Sequence, residues 1–355
     1  MYRKTLMAAA AVAVAAGHLV VVPVNDVQAK TLRFADFGPN RGARAGALKW
    51  MAAELEKRSA GAMKIKFTWG GALLGAKNSA KGLGAGVADL ASIVAVYNPG
   101  QLVVYEAVDA LMLDDEYATL RAAYDLMTTN KHALAEFKKK GIRYFSNYTT
   151  GPTQLLSRVP IRSLADLKGK KIRATGGFVR AMNAAGATTI SLPQPKVYEA
   201  LSSKTIDGTT NYWYVIRGYK QYEVAGYATE LNLGQVAAFG IAMSARSYDG
   251  LSAKEKGWVD GMGRDFILHM AKTMVNSRNA TKAELQKGID GKKVQLIQAP
   301  ADMKKMLATE AAKDVQKWLG KAKKKNLNGP AILAEFKKSY AKYDAERKTK
   351  GYPWK

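Results

Sequence analysis

Arg173 ends a short basic and apolar run, Gly169-Lys170-Lys171-Ile172-Arg173, and Asn211 ends Ile206-Asp207-Gly208-Thr209-Thr210-Asn211. Between them, Val197-Tyr198-Glu199-Ala200-Leu201 has helical character. An arginine held at a strand end offers a planar fork of donors that a carboxylate can accept through two parallel hydrogen bonds. The pattern therefore points to an organic acid as ligand. Taken alone, Arg173 serves as well as a local partner for an acid such as Asp166.

Chemistry of other kinds is scarce. Beyond residue 29 the histidines are His132 and His269, both in helical stretches and without the histidine-glutamate spacing of a zinc site. Cysteine is absent, which excludes disulfides and thiolate catalysis. Gly82-Leu83-Gly84-Ala85-Gly86 follows a helix instead of opening one after a strand, so it reads as a helix end and not as a phosphate loop. A binding protein with no metal, no cofactor and no catalysis is expected. For the rival reading, a periplasmic α/β enzyme, the nearby base candidates in sequence are Tyr198 and Glu199, more simply read as helix residues.

Residues 1–29 carry Arg3 and Lys4, an apolar run from Leu6 to Val22, and small residues at Val27-Gln28-Ala29, the pattern of a cleaved secretory signal. A periplasmic protein of 326 residues starting at Lys30 follows, long enough for two domains. It keeps 53 basic and 28 acidic residues, a net charge of +25, and such a field attracts anions. Lys138-Lys139-Lys140 and Lys321-Ala322-Lys323-Lys324-Lys325 would suit a nucleic acid or another polyanion. They suit helix ends equally well, where cations meet the negative end of the dipole. No motif combining base stacking with basic residues appears, so nucleic acid is not expected as a partner.

On both sides of Arg173, strand and helix patterns alternate along the chain. Thr31–Ala35, Met63–Trp69 and Ala88–Val96 read as strands, with helices over Gly42–Ser59 and Gly75–Leu83. One long helix is expected over Glu116–Lys140, then a strand over Ile142–Asn147. After Gly151-Pro152 a second set follows: strands at Gln154–Ser157, Lys171–Ala174, Thr189–Leu192 and Thr209–Asn211, with helices at Phe178–Ala185 and Lys196–Ser203. Leu231–Ser244 reads as two strands in series able to return the chain to the first lobe. The remainder is helical, opening with the capping box Ser252-Ala253-Lys254-Glu255. Two α/β sets imply sheets covered by helices, with ligands bound beyond the carboxyl ends of strands.

Several segments, in this order, resemble the substrate-binding proteins of tripartite ATP-independent periplasmic (TRAP) transporters, typified by dicarboxylate- and sialic-acid-binding members. They are Trp69-Gly70-Gly71-Ala72-Leu73-Leu74-Gly75, Gly86-Val87-Ala88-Asp89-Leu90, Leu164 through Arg173, Val197 through Leu201, and Asp207-Gly208 through Asn211. The resemblance implies an α/β, two-lobed flytrap with strands crossing between lobes and a long lobe-spanning helix. It divides the chain into 30–149 plus 239–278 as the first lobe, and 150–238 plus 279–355 as the second lobe and C-terminal helices. It also implies a monomer that serves membrane permease subunits.

In that family the arginine matching Arg173 forms a salt bridge with the ligand carboxylate, and the asparagine matching Asn211 hydrogen-bonds it. Many members carry a second arginine where this chain has Thr153, so the resemblance implies a monocarboxylate here, aromatic or hydroxylated. A metal-using branch carries a glutamate where this chain has Thr210, so no bridging cation is expected. Phe37, Asn40, Arg41, Tyr97, Asn147, Tyr148 and Trp213 follow strands and are candidates for the remaining wall. Gln194 stands where many relatives place an aromatic that packs on the ligand.

Overall fold

The computed structural model describes residues 29–355. The expected secretory signal lies outside the described residues apart from Ala29. Eleven strands among the described residues form two sheets. The first contains β1 (Lys30–Ala35), β2 (Met63–Thr68), β3 (Leu90–Val94), β4 (Ile142–Tyr148) and β10 (Phe239–Ser244), in the order β2-β1-β3-β10-β4. The second contains β5 (Thr153–Ser157), β6 (Lys171–Arg173), β7 (Thr188–Ile190), β8 (Gly208–Asn211), β9 (Tyr227–Leu233) and β11 (Gln295–Gln298), in the order β11-β9-β5-β8-β6-β7.

Adjacent residues of one strand feed opposite faces of a sheet. In β5, Leu155 joins a core with Phe178 and Met303, while Leu156 joins another with Val197 and Ile216. The first sheet is covered likewise. Leu48, Met51 and Leu55 of the helix Gly42–Arg58 pack on one face together with Met262 and Phe266. Val104, Leu126 and Phe137 cover the other.

Two stretches of extended chain carry the backbone from sheet to sheet, β4 to β5 and β9 to β10. They run side by side: the Thr150 N–H donates to the Val236 carbonyl at 3.2 Å, Val236 N–H to Thr150 Oγ1 at 2.9 Å, and Thr153 N–H to the Gly234 carbonyl at 2.9 Å. The expected return of the chain over Leu231–Ser244 is thus found. A third connection is the 35-residue helix Ala253–Lys287, which opens with the expected capping box. Its buried side chains run from Val259 and Phe266 in the first lobe to Leu285 in the second. At Gly263 a Cβ would sit 2.4 Å from the Phe145 carbonyl, so glycine is what lets the helix lie against β4.

Three expectations need correction. The long helix over Glu116–Lys140 is two helices, Glu116–Thr129 and Lys131–Lys139, because the Asn130 side chain caps the second by accepting the His132 and Ala133 N–H groups. The helices Asp314–Lys324 and Gly329–Lys350, expected beside the second lobe, pack on the first. Trp318 Nε1 donates to the Val103 carbonyl at 2.8 Å, and Phe336 enters the first-lobe core. An amphipathic pattern fixes that a helix covers something without saying which sheet. The third is β11, in a stretch expected to be helical; it adds a parallel edge to β9.

The lysine runs take the helix-end positions. Lys138 and Lys139 lie in the last turn of Lys131–Lys139, and Lys321, Lys323 and Lys324 in that of Asp314–Lys324. Among the described residues no helix is long and apolar enough to cross a membrane.

Candidate functional site

Arg173 is the last residue of β6, paired with Ile190 of β7 and Thr209 of β8. Its side chain is turned inward, leaving the residue 2% exposed. Nε donates to the Leu192 carbonyl at 2.9 Å and Nη1 to the Thr210 carbonyl at 3.4 Å. No carboxylate among the described residues lies within 4.0 Å of the guanidinium. The local partner suggested by sequence is otherwise engaged: Asp166 Oδ2 accepts the Arg162 and Ser163 N–H groups at 2.8 and 2.9 Å. Two neutral carbonyls orient the guanidinium without cancelling its charge. A buried charge left so is costly until an anion meets it.

The space beside Arg173 lies between the lobes. From the second lobe come Arg173, Thr175, Gln194, Tyr212, Tyr214, Val215 and Tyr219; from the first, Phe37, Arg44, Val94, Val96, Tyr97 and Phe239; from the hinge, Thr150 and Val236. The cavity measures about 40 Å³ as space for the centre of a water-sized sphere. Widened by that sphere's own radius of about 1.4 Å, the space is large enough for a small organic molecule.

Arg44 is the second arginine on the wall, and its charge is already met. Nη1 and Nη2 reach Asp36 Oδ2 and Oδ1 at 2.6 and 2.7 Å in a bidentate pair. Asp36 also accepts from Ser92 Oγ at 2.7 Å, and Ser92 in turn bonds the Tyr148 hydroxyl at 2.9 Å. The guanidinium lies 5.6–6.0 Å from the ring centroids of Phe37, Tyr148 and Phe239, which confine it between apolar faces. The cavity therefore has one unneutralised charge, that of Arg173. Burial pushes the Tyr212, Tyr214 and Tyr219 phenols upward, so each stays a neutral hydroxyl.

The lobes touch across the cleft. The Tyr97 hydroxyl accepts the Gln194 backbone N–H at 2.9 Å, and Arg41 Nε donates to the Gly218 carbonyl. Gly42, at φ +79°, has its Cβ direction 3.2 Å from the Gly218 Cα, so glycine at 42 lets the two backbones meet. The conformation is closed around a small space.

Of the residues expected at the site from sequence, Arg173, Phe37, Tyr97 and Gln194 line this cavity. Arg41 and Asn40 are exposed, and Arg41 acts at the lobe contact. Tyr148 stands behind Arg44 and does not reach the cavity wall. Asn211 does not face the cavity, contrary to expectation: its Nδ2 donates to Gln221 Oε1 and its Oδ1 accepts the Tyr212 N–H at 2.9 Å. Asn147 is likewise spent inside, with Oδ1 accepting from the Tyr105 hydroxyl and Nδ2 donating to the Tyr148 and Ala237 carbonyls. Trp213 packs into the second-lobe core, because the chain enters a helix at that residue and turns Tyr212 and Tyr214 to the cleft instead.

Arg44 and Tyr219 are wall residues that sequence reading missed; of the aromatic run Tyr212-Trp213-Tyr214 beside Asn211, a candidate wall from sequence, the outer two line the cavity. A signal for Arg44 existed: it stands four residues before Leu48, in phase with the apolar stripe Leu48, Met51 and Leu55, where an unpaired charge would be out of place. Tyr198 and Glu199, the base candidates of the enzyme reading, lie outside the cavity; the Tyr198 hydroxyl donates to Glu223 Oε2 at 2.8 Å. His269 stacks on Trp50 at 3.7 Å and also lies outside it. Thr153, where a second arginine would stand, is buried with Oγ1 donating to the Gly234 carbonyl at 3.1 Å.

Known proteins share this fold. A crystal structure of a TRAP periplasmic solute-binding protein from Bordetella bronchiseptica, with bound (R)- and (S)-mandelate, is 22% identical with a TM-score of 0.78, covering 88% of this chain and 99% of that one. One from Rhodoferax ferrireducens, in complex with copurified benzoate, is 24% identical with a TM-score of 0.75, covering 89% and 98%. These likenesses concern the fold. Among curated relatives, the 2,3-diketo-L-gulonate-binding periplasmic protein YiaO of Escherichia coli is 24% identical over 261 residues, 72% of this chain and 76% of that protein. The alignment with YiiZ of Salmonella typhimurium spans 57% of that protein's length. The family model for bacterial extracellular solute-binding proteins of family 7 matches residues 34–321, most of the described chain. The chain belongs to bacterial extracellular solute-binding protein family 7.

Proposed function

We propose that this protein is a periplasmic receptor that captures a small organic monocarboxylate between its lobes and delivers it to the permease subunits of a TRAP-type transporter. The observation that carries this reading is Arg173, buried at the cavity wall with no carboxylate partner among the described residues. The ligand supplies the missing negative charge. With Arg44 already neutralised by Asp36, a second carboxylate would meet no free cation at the wall, which favours one acid group per ligand. Rings and aliphatic side chains make most of the remaining wall, which suits an apolar or aromatic body. The mandelate and benzoate bound by the two structural relatives belong to the same class.

No covalent step is needed. Residues 30–149 with 239–278 act as one closing body and 150–238 with 279–312 as the other, and the last two helices ride on the first. Closure excludes water and strengthens the bond to Arg173. Mass spectrometry of the acid that co-purifies, followed by calorimetric titration with it, tests the reading. One-to-one binding of a monocarboxylate with weak salt dependence is expected. Binding that collapses between low and moderate salt would instead favour a polyanion binder, because each phosphate contact releases a counterion.

A further inference from the structure

Six buried side-chain polar atoms lack a hydrogen-bond partner among the described residues, and of their residues Gln194 alone lines the cavity beside Arg173. The unpartnered atom is its Nε2, on a residue only 7% exposed. Buried amide donors are almost always paired, so an orphan at a ligand wall asks for an acceptor from the ligand. The segment that carries it is fixed at both ends: the Leu192 carbonyl holds Arg173 Nε at 2.9 Å, and the Gln194 backbone N–H is held by the Tyr97 hydroxyl at 2.9 Å. Two residues of chain span at most ~7 Å, so the amide and the guanidinium face the same small molecule.

We infer that Gln194 is a specificity-determining residue whose side-chain amide recognises an oxygen of the ligand other than its carboxylate, so that the preferred ligands are hydroxy or oxo monocarboxylic acids. This rests on the monocarboxylate reading above. The carboxylate goes to Arg173 and the extra oxygen to Gln194 Nε2. An acid lacking that oxygen leaves the buried amide unpaired in the closed state. Sites built to bond an oxygen discriminate strongly against analogues without it, for this reason.

Calorimetric titration of the ligand-stripped protein with matched acids tests the inference. The probes are phenylacetate with its 2-hydroxy and 2-oxo derivatives, benzoate with 3-hydroxybenzoate, and 3-methylbutanoate with its 2-hydroxy and 2-oxo derivatives. At least one oxygenated acid is expected to bind about tenfold or more tightly than its parent. Gln194→Met should abolish that ratio, chiefly by weakening the oxygenated acid, and a cooperative unfolding transition of the unliganded variant shows that it is folded. Three results would overturn the inference. No preference in any series removes the role of the extra oxygen, and equal losses for both members in Gln194→Met would put the amide on the shared carboxylate. Failure of every acid to bind would remove the monocarboxylate reading itself and the inference with it.

Discussion

Arg173 in the second lobe and Arg44 in the first are exposed to 2% and 5% and face one cavity, but they are held in opposite ways. Arg44 has a bidentate carboxylate eight residues back in the chain, three neighbouring rings and no charge left over. Arg173 has two backbone carbonyls that fix its orientation and leave its charge in place. The first lobe thus presents a stiff, neutral wall. The second presents a charge without a counterion. Under the proposed function the protein closes on an anion because one lobe withholds its charge and the other offers it.

The largest expected effect falls on the neutral side. Arg44→Met strands the buried Asp36 carboxylate and should destabilise the unliganded protein by about 3–5 kcal/mol, read as a lowered denaturant midpoint. An unchanged midpoint would mean that Arg44 and Asp36 are not a structural pair and that Arg44 is available to the ligand.

A half-buried carboxyl, that of Asp109, extends the contrast to the hinge. Asp109 Oδ1 accepts the Ala237 and Ala238 N–H groups at 2.7 and 2.8 Å while Oδ2 is unpartnered, and burial pushes its carboxyl up to about 7. A carboxyl raised in the folded state binds its proton more tightly there than in the unfolded chain. Its contribution to stability is therefore present below the ordinary range near ~4 and lost as pH rises through about 7. Asp109→Asn keeps the acceptor and should flatten this fall, measured as melting temperature against pH from 4 to 8. An identical profile for the variant would count against Asp109 as its source.

Smaller effects belong to the cleft contact. Tyr97→Phe removes the acceptor of the Gln194 N–H and should weaken ligand binding by about 0.5–1.5 kcal/mol without moving unliganded stability. A loss comparable to that of an anchor would place the Tyr97 hydroxyl on the ligand instead.

Much of this arrangement is readable in the residues, and the reasons for the failures are specific. Strand ends are legible, so Arg173 stands out. The Leu231–Ser244 crossing follows from two apolar runs in series, and Ser252-Ala253-Lys254-Glu255 marks the start of the spanning helix. Partners are less legible than positions. Asn211 has the right place in sequence, but Gln221, ten residues on, takes its amide. In Tyr212-Trp213-Tyr214 the change from extended chain to helix decides which rings face the cleft, and composition alone does not reveal that turn. Asn130 reads as a polar residue within one helix until its side chain is seen capping the next.

Arg173→Met, set beside the wild-type protein in parallel calorimetry and denaturant unfolding, tests the division between anchor and wall most directly. Affinity for the co-purified acid should fall by about 2–5 kcal/mol, roughly 30- to 4,000-fold, while the unliganded midpoint stays level or rises because an unpaired buried charge has been removed. Retained affinity, or a collapse of unliganded stability like that expected for Arg44→Met, would contradict the assignment of Arg173 as the anchor.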